Sequence, residues 1–363
     1  MSPWTAPSLT SQPLPATADV AVVGGGPVAF DVARGLVESG VTVVVLDRAP
    51  DVGAVGICQG TGHVFRGLPE SAARLHRSVG AALCERLYRL SDSGFERLAD
   101  AGLIQPGPGR QVASDDRERV ELKDSAEVLT EMGYDAHFDG DALVGPADGM
   151  VDPVAATVAL AREAQDAGAT VVSGVVPTDW DGSCLKTTAG DITVEMVVCC
   201  GDLESLRWHD FFAPCLLPYR EHALRVGGWS APLERYQYGY FTLRPHQGGT
   251  VVRGARWATQ HMEAGETDPH TLDVVQDKLD QAVAKRGVED ADVTHRWAWI
   301  ETTTCDGLPF VGPLPGEPRV VLCTGFGSAV WGLGMGCAEH LVTALTGLSA
   351  TKATGLEPSR MVL

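Results

Sequence analysis

One stretch near the start of the chain, Asp19 to Arg48, constrains the fold more than any other: DVAVVGGGPVAFDVARGLVESGVTVVVLDR. Asp19 to Val23 is short and apolar, as a buried parallel strand should be. It runs into Gly24, Gly25, Gly26 and Pro27. Ala29, Val32, Ala33, Leu36 and Val37 then recur on one helical face. Gly40 stands where a left-handed cap is wanted. A second apolar strand, Thr42 to Leu46, ends at Asp47. Strand, glycine turn, helix, strand and terminal acid together form the dinucleotide-binding pattern. Gly24 permits the tight turn, Gly26 lets the backbone approach a pyrophosphate, and Ala29 is small where helix meets strand. The helix start offers free N–H groups to phosphate. Asp47 is placed to accept from ribose hydroxyls and would repel a 2′-phosphate, whatever Arg48 contributes. A glycine-rich turn in an unrelated α/β domain is the alternative, and it leaves Asp47 unexplained.

A chain of 363 residues has room for two modest domains or one elaborate one. Its formal net charge of −19 argues against nucleic acid and against an anionic membrane surface as partners; plain solubility explains the charge. The nine cysteines show no metal-ligand spacing and no disulfide framework, which suits a reducing cytoplasm. Residues 1–18 are rich in Pro, Ser and Thr and read as a disordered tail without the features of a signal peptide. No apolar run is long enough to span a bilayer. Nothing in the sequence specifies an oligomeric state.

Along the rest of the chain, Ala49 to Arg66 is a glycine-rich loop positioned to fold back over a cofactor. Glu70 to Leu103 is helical in pattern, with Leu83, Leu87, Leu90, Phe95 and Leu98 as its apolar stripe. Ile104 to Ala147 reads as strands and turns with a solvated charged face around Asp115 to Glu121. Asp152-Pro153 opens a helix that stops at Gly168. Short strands follow, at Thr170 to Ser173, Val175 to Trp180, Ser183 to Thr188 and Ile192 to Val198. Leu217 to Val226, Gln237 to Arg244 and Thr250 to Arg256 read as longer strands, and Val293 to Glu301 as another. Asp268-Pro269 opens a covering helix closed by Gly287. Arg319 to Cys323 is a strand that runs into Thr324-Gly325-Phe326-Gly327-Ser328 and a helix, a second strand–glycine turn–helix unit.

Five segments in order resemble the FAD-dependent D-amino acid oxidase, glycine oxidase and sarcosine oxidase family: GGGPVA with Asp47-Arg48, Gly149 to Ala169, Val197 to Ser205, Cys305 to Pro315, and Thr324 to Gly334. The resemblance implies an α/β architecture with a discontinuous Rossmann-type FAD-binding domain (19–80, 148–208, 318–363). It also implies an α+β substrate domain with a mainly antiparallel sheet (81–147, 209–317). By position, Gly24, Gly26, Pro27, Val28, Asp47 and Arg48 would hold the adenosine and phosphates. Gly60, Thr61 and Gly62 would lie near the pyrophosphate or ring, and Val175 would contact adenine through its backbone. Gly201 would sit beside the flavin, and Gly325, Phe326, Gly327, Ser328, Ala329, Val330 and Gly332 would wrap it.

Two departures bear on chemistry. Amino acid oxidases of this type place a carboxylate-clamping arginine where this chain has Glu301. Two negative charges about 4 Å apart at an effective dielectric of about 20 repel by about 4 kcal/mol, roughly a thousandfold in binding. A plain α-amino acid held in the family manner is therefore disfavoured unless Arg244 or Arg220 does the clamping. The cysteine that carries covalent FAD in sarcosine oxidases has no counterpart before Cys305, so non-covalent FAD is expected. Tyr236, Tyr238 and Tyr240 share one strand face, and His295, Trp297, Trp299 and Glu301 another. Tyr238, Tyr240, Trp299, Trp331 and Arg244 are the candidate substrate contacts, and Glu301 the candidate catalytic group. An aromatic core stripe is the competing account of the same residues. The expected activity is oxidation of a C–N bond in a small amine or modified amino acid, as an oxidase that uses molecular oxygen, in specialised metabolism. A hydroxy-acid dehydrogenase of the same superfamily and a non-redox flavoprotein or partner subunit are the alternatives.

Overall fold

The computed structural model describes residues 1–347 and 354–361. Its first layer is a six-stranded sheet in the order Phe310–Leu314, Glu317–Thr324, Met196–Cys199, Val20–Val23, Val43–Asp47, Thr170–Ser173. All neighbours are parallel except the hairpin formed by the first two. Val20–Val23 and Val43–Asp47 are buried at every position, because both faces of a parallel sheet are covered. Val20, Val22, Val43 and Val45 pack toward helices Pro27–Glu38 and Pro153–Ala167. Ala21, Val23, Val44 and Leu46 face the opposite core, with Leu185, Ile192 and Phe212. Asp152 caps its helix by accepting from Ala155 N at 3.0 Å, and Gly168 ends it at φ 118°.

The second large sheet runs Asp292–Thr304, Leu216–Gly227, Gly249–Arg253, Phe241–His246, Glu234–Tyr236, Gln105–Val112, Ala142–Met150, His63–Val64, with His137–Phe138 added beside Ala142–Met150. It is antiparallel but for the pairing of Glu234–Tyr236 with Gln105–Val112. Helix Asp273–Ala284 covers it through Val275, Leu279, Ala282 and Val283. A small meander of Pro177–Trp180, Cys184–Thr187 and Gly190–Thr193 stands apart.

Several expectations need correction. Residues 1–18 are not a free tail. Thr170–Ser173 is an edge strand whose backbone groups need partners, and the segment supplies them: Gln12 N donates to Val171 O at 2.9 Å, and Gln12 Oε1 accepts from Val171 N at 2.8 Å. Trp4 is buried with Val154, Trp297 and Trp299. The charged stretch after Ile104 contains a helix, Asp116–Glu131, capped by Asp115 accepting from Glu118 N at 2.8 Å, with Leu122, Ala126 and Leu129 inward. The 70–103 helix is two, Ala72–Val79 and Ala81–Asp100, broken at Gly80 with φ 82°. Asp268 opens no helix. Its N–H bonds Glu266 and its carbonyl accepts from Arg220, so the helix begins only at Asp273. Ile192 to Val198 is two strands in two different sheets.

Sheet pairing also moves the boundaries between the two units. Phe310–Leu314, placed by sequence in the substrate domain, belongs to the parallel sheet. His63–Val64, placed in the FAD-binding domain, pairs with Gly149 and Met150 of the antiparallel sheet. Helix Ala81–Asp100 packs so tightly on the Thr324 to Gly334 segment that a Cβ at Gly94 would overlap the carbonyl of Gly332. Residues 348–353 and 362–363 of the 318–363 segment lie outside the described residues.

Candidate cofactor cleft and substrate cavity

A cleft opens at the carboxyl ends of the parallel strands, where such sheets bind ligands. Its lining includes Gly25, Gly26, Asp47 and Arg48, Gly53 and Val55 to Cys58 of the glycine-rich loop, Cys200 to Asp202, and Gly325 to Gly327 with Val330. Gly24 has φ 131°, and a Cβ there would stand 2.7 Å from Gly201 N, so the turn requires glycine. The Asp47 carboxyl packs against Gly25. Its Oδ1 accepts from Ala49 N at 2.9 Å, while Oδ2 is buried without a partner. Burial pushes this carboxyl up to about 6, against its bond to Ala49. A buried acceptor lacking its donor, beside a glycine turn and a helix start, fits the ribose and pyrophosphate of a dinucleotide. Arg48 is tied to Asp202 at 2.6 Å.

A second cavity of about 180 Å³ adjoins the cleft. Its lining includes Phe65, Glu70, Arg74, Tyr219, Glu221, Arg235, Tyr238, Tyr240, Thr242, Arg253, Arg256 and Ser328. The two linings come together at consecutive residues, Gly327 in the cleft and Ser328 in the cavity, and Tyr219 of the cavity bonds Glu301 of the cleft. A Cβ on Gly327 would lie 2.7 Å from Tyr219 Oη and 3.9 Å from Glu301 Oε2. Glu301 is 3% exposed and lines the cleft. It accepts from Tyr219 Oη at 2.7 Å and from Trp299 Nε1 at 2.9 Å, with Arg253 Nη2 at 3.7 Å. Burial, reinforced by Glu221, holds this carboxyl above the usual range despite Arg253. Glu221 goes the other way: burial opposes ionisation, but Arg253 and Arg256 together outweigh it. Arg256 also stacks over the Tyr219 ring at 4.2 Å.

Of the residues singled out by sequence, Gly26, Asp47, Arg48, Gly201, Gly325, Phe326, Gly327, Val330 and Glu301 line the cleft, and Ser328, Tyr238 and Tyr240 the cavity. The others stand elsewhere. Pro27 and Val28 form the buried first turn of their helix, and Ala329 is core. The Val175 N–H is committed to Asp47 O at 2.9 Å. Gly60 O accepts from Trp4 Nε1, and Gly62 O from Val151 N. Arg244 is buried and donates to Thr61 O and Val151 O with its face over Trp4, so it acts as a brace rather than a clamp. Arg220 is buried against Glu263. Trp299 and Trp331 are 1% exposed and line neither space. Gly332 is held against Phe65 O by helix packing. Tyr236 and Tyr240 do not share a strand face with Tyr238, because Gln237, Tyr238 and Gly239 have φ of 52°, 58° and 78° and turn the chain.

Sequence reasoning missed Gly53, Val55 to Cys58, Cys200 and Asp202 in the cleft, although the glycine-rich loop that supplies five of these seven was visible. It also missed Arg235, Arg253 and Arg256, whose convergence depends on sheet register.

The family model described as FAD dependent oxidoreductase (DAO) matches residues 19–344. Among curated proteins, the chain is 23% identical over 334 residues to the probable oxidoreductase OrdL of Rhizobium meliloti (strain 1021), covering 81% of this chain and 75% of that one. Glycine oxidase from Geobacillus kaustophilus superposes with a TM-score of 0.81 at 18% identity, over 96% of this chain and 100% of that one. L-proline dehydrogenase from P. horikoshii gives 0.79 at 18%, over 96% and 98%. L-amino acid deaminase from Proteus myxofaciens gives 0.73 at 16%, over 100% and 97%. At these identities the likeness is one of fold.

Proposed function

This chain belongs to the DAO family of FAD-dependent oxidoreductases, and we propose that it oxidises a C–N bond of a small amine or modified amino acid, passing the electrons to dioxygen with release of hydrogen peroxide. The observation that carries the proposal is the junction at Gly327 and Ser328. There the linings of a polar cavity and of the dinucleotide cleft stand at consecutive residues, beside a buried carboxyl, Glu301, that Tyr219 of the cavity holds. Three proteins of the same fold bear names that denote oxidation or deamination of amino acids.

FAD bound in the cleft supplies a two-electron acceptor. Asp47 Oδ2 would accept from a ribose hydroxyl, and the first N–H groups of helix Pro27–Glu38 would meet the pyrophosphate. The binding is non-covalent. Cys305 packs near Met361 Sδ at 3.9 Å and does not line the cleft, while burial pushes the Cys58 thiol up to about 12 and leaves it a poor nucleophile. A C–N bond is oxidised from the neutral amine, so the substrate ammonium must first lose a proton. Glu301, its affinity for a proton raised by burial, is placed to take it. Tyr219 and Trp299 hold both carboxyl oxygens, so the acceptor is fixed in position. Loss of the family arginine at position 301 suits a specialised substrate rather than a general α-amino acid. Nine free cysteines suit a reducing cytoplasm. No helix among the described residues is long and apolar enough to cross a membrane.

The test is the visible flavin spectrum of the purified protein during anaerobic addition of amines, amino acids and hydroxy acids. Bleaching by an amine, followed by peroxide formation in air, supports the proposal. Bleaching by hydroxy acids alone replaces it with C–O oxidation.

A further inference from the structure

The cavity beside the cleft concentrates guanidinium groups in a chain whose formal net charge is −19. Most of them are spoken for. Arg74 donates to Glu121 at 2.9 Å. Arg253 lies between Glu221 at 3.1 Å and Glu301 at 3.7 Å, and Arg256 Nε stands 3.4 Å from Glu221. Arg235 is different. Its ion-pair partner among the described residues, Asp148 Oδ2, is 3.8 Å away and is already engaged by His63 Nε2 at 2.9 Å. The Arg235 side chain is 14% exposed, and its Nε is buried with no hydrogen-bond partner. A guanidinium carries five N–H donors, and a buried donor left without an acceptor is costly. That Nε faces Asp148 and is closed to the cavity, but Arg235 lines the cavity and its terminal nitrogens make no hydrogen bond among the described residues, so a ligand there can supply their acceptor.

Sheet register sets where that acceptor would sit. Arg235 pairs with Thr242, and Thr242 with Arg253, so the three side chains form a row on one sheet face. Tyr219 pairs with Glu301 on the strands at the other side. In the strand order, Glu301 and Arg235 are four strand steps apart. At about 4.8 Å per step, their backbones are separated by roughly 19 Å. Arg253, two strand steps from Glu301, comes within 3.7 Å of it, whereas Arg235 stands two steps further and makes no ion pair with it. An α-amino acid, whose ammonium and carboxylate share one carbon, is too short to meet both.

We propose that Arg235 is a substrate-binding residue and that the substrate is an amine carrying a carboxylate several bonds from the oxidised carbon. The amine end lies at Glu301 and Gly327, and the carboxylate lies on Arg235 with the Thr242 hydroxyl beside it. This inference rests on the reading of the cavity as the site of amine oxidation.

The experiment uses the flavin-loaded enzyme and the ω-amino acids from glycine to 6-aminohexanoate, each beside its primary amide. Binding is read by calorimetry and reduction by anaerobic bleaching. We expect affinity to rise with chain length to an optimum beyond 3-aminopropanoate, with each amide at least tenfold weaker than its acid. Arg235→Gln should erase the acid–amide difference, while Arg235→Lys retains part of it; equal flavin content in both variants shows that they fold. Tightest binding by glycine, or acids and amides bound alike, overturns the role of Arg235 while leaving amine oxidation standing if amines still bleach the flavin. If hydroxy acids bleach it and no amine does, the functional reading falls, and the acid–amide difference in binding still judges Arg235 separately.

Discussion

The cleft and the cavity have linings that adjoin at Gly327 and Ser328, yet they are made of different material. The cleft is largely backbone: glycine turns at Gly24–Gly26 and Gly325–Gly327, a helix start, and one orphaned carboxylate oxygen. The cavity is largely side chain, with Arg253, Thr242 and Arg235 aligned across three strands and Glu221 and Tyr219 from a fourth. A backbone site tolerates little at a few positions and much elsewhere, because its geometry resides in φ, ψ and close approach. A side-chain site can change its ligand by single substitutions while its scaffold persists. The Glu301 carboxyl, held by Tyr219 and Trp299, is a feature of the second kind, set apart from the glycine framework of the cleft.

That contrast can be broken at four points. Gly24→Ala should have the largest effect, at least a hundredfold loss of FAD affinity, since the methyl group meets Gly201 N at a strained φ. The visible flavin absorbance of the purified variant measures it, and full flavin content would refute the backbone account of the cleft. Glu301→Gln, a side-chain change where cleft and cavity linings come together, should keep its flavin but lose roughly a hundredfold in kcat. It should also lose the rise in rate with pH that belongs to a base whose proton affinity burial has raised; an unchanged pH profile would remove Glu301 from proton transfer.

Trp4→Ala tests a brace that serves both regions. It deletes a buried ring and its 2.7 Å bond to Gly60 O, behind the loop that walls the cleft. The expected loss is about 3 to 5 kcal/mol in unfolding free energy, read by denaturant titration, with faster hydrogen exchange in residues 53–62. Asp47→Asn is the subtlest change and concerns the flavin-free protein. The carboxyl sits at about 6 in the folded chain against an ordinary 3.8, so the folded state holds the proton more tightly. Stability from this group is complete below 3.8 and falls by about 3 kcal/mol as pH rises through about 6. Asn should remove that portion of the pH dependence of Tm and weaken FAD binding.

Local rules made the parallel half legible. Val20–Val23, Gly24–Gly26, the Pro27 helix and Asp47 are consecutive, and each follows from its own residues. The helix from Pro153 to Gly168 was legible for the same reason, with its cap, its proline and its terminal glycine all in sequence. Tyr236, Tyr238 and Tyr240 misled because alternation predicts a strand, whereas the chain turns at Gln237 to Gly239. Residues 1–18 misled because their composition suggests a free tail, and nothing local announces that an edge strand and a tryptophan pocket await them.

By itself, then, the sequence determined the dinucleotide unit and the family it resembles. Only the tertiary structure decided that Arg244 and Arg220 are braces, that Arg235, Arg253 and Arg256 surround the cavity, and that Glu301 is held by Tyr219 and Trp299 at the junction. Glycine turns and helix caps act within a few residues of the chain. Contacts such as Tyr219 with Glu301, or Arg235 in line with Arg253, arise from pairing between distant strands, where one step of register exchanges the buried face for the other.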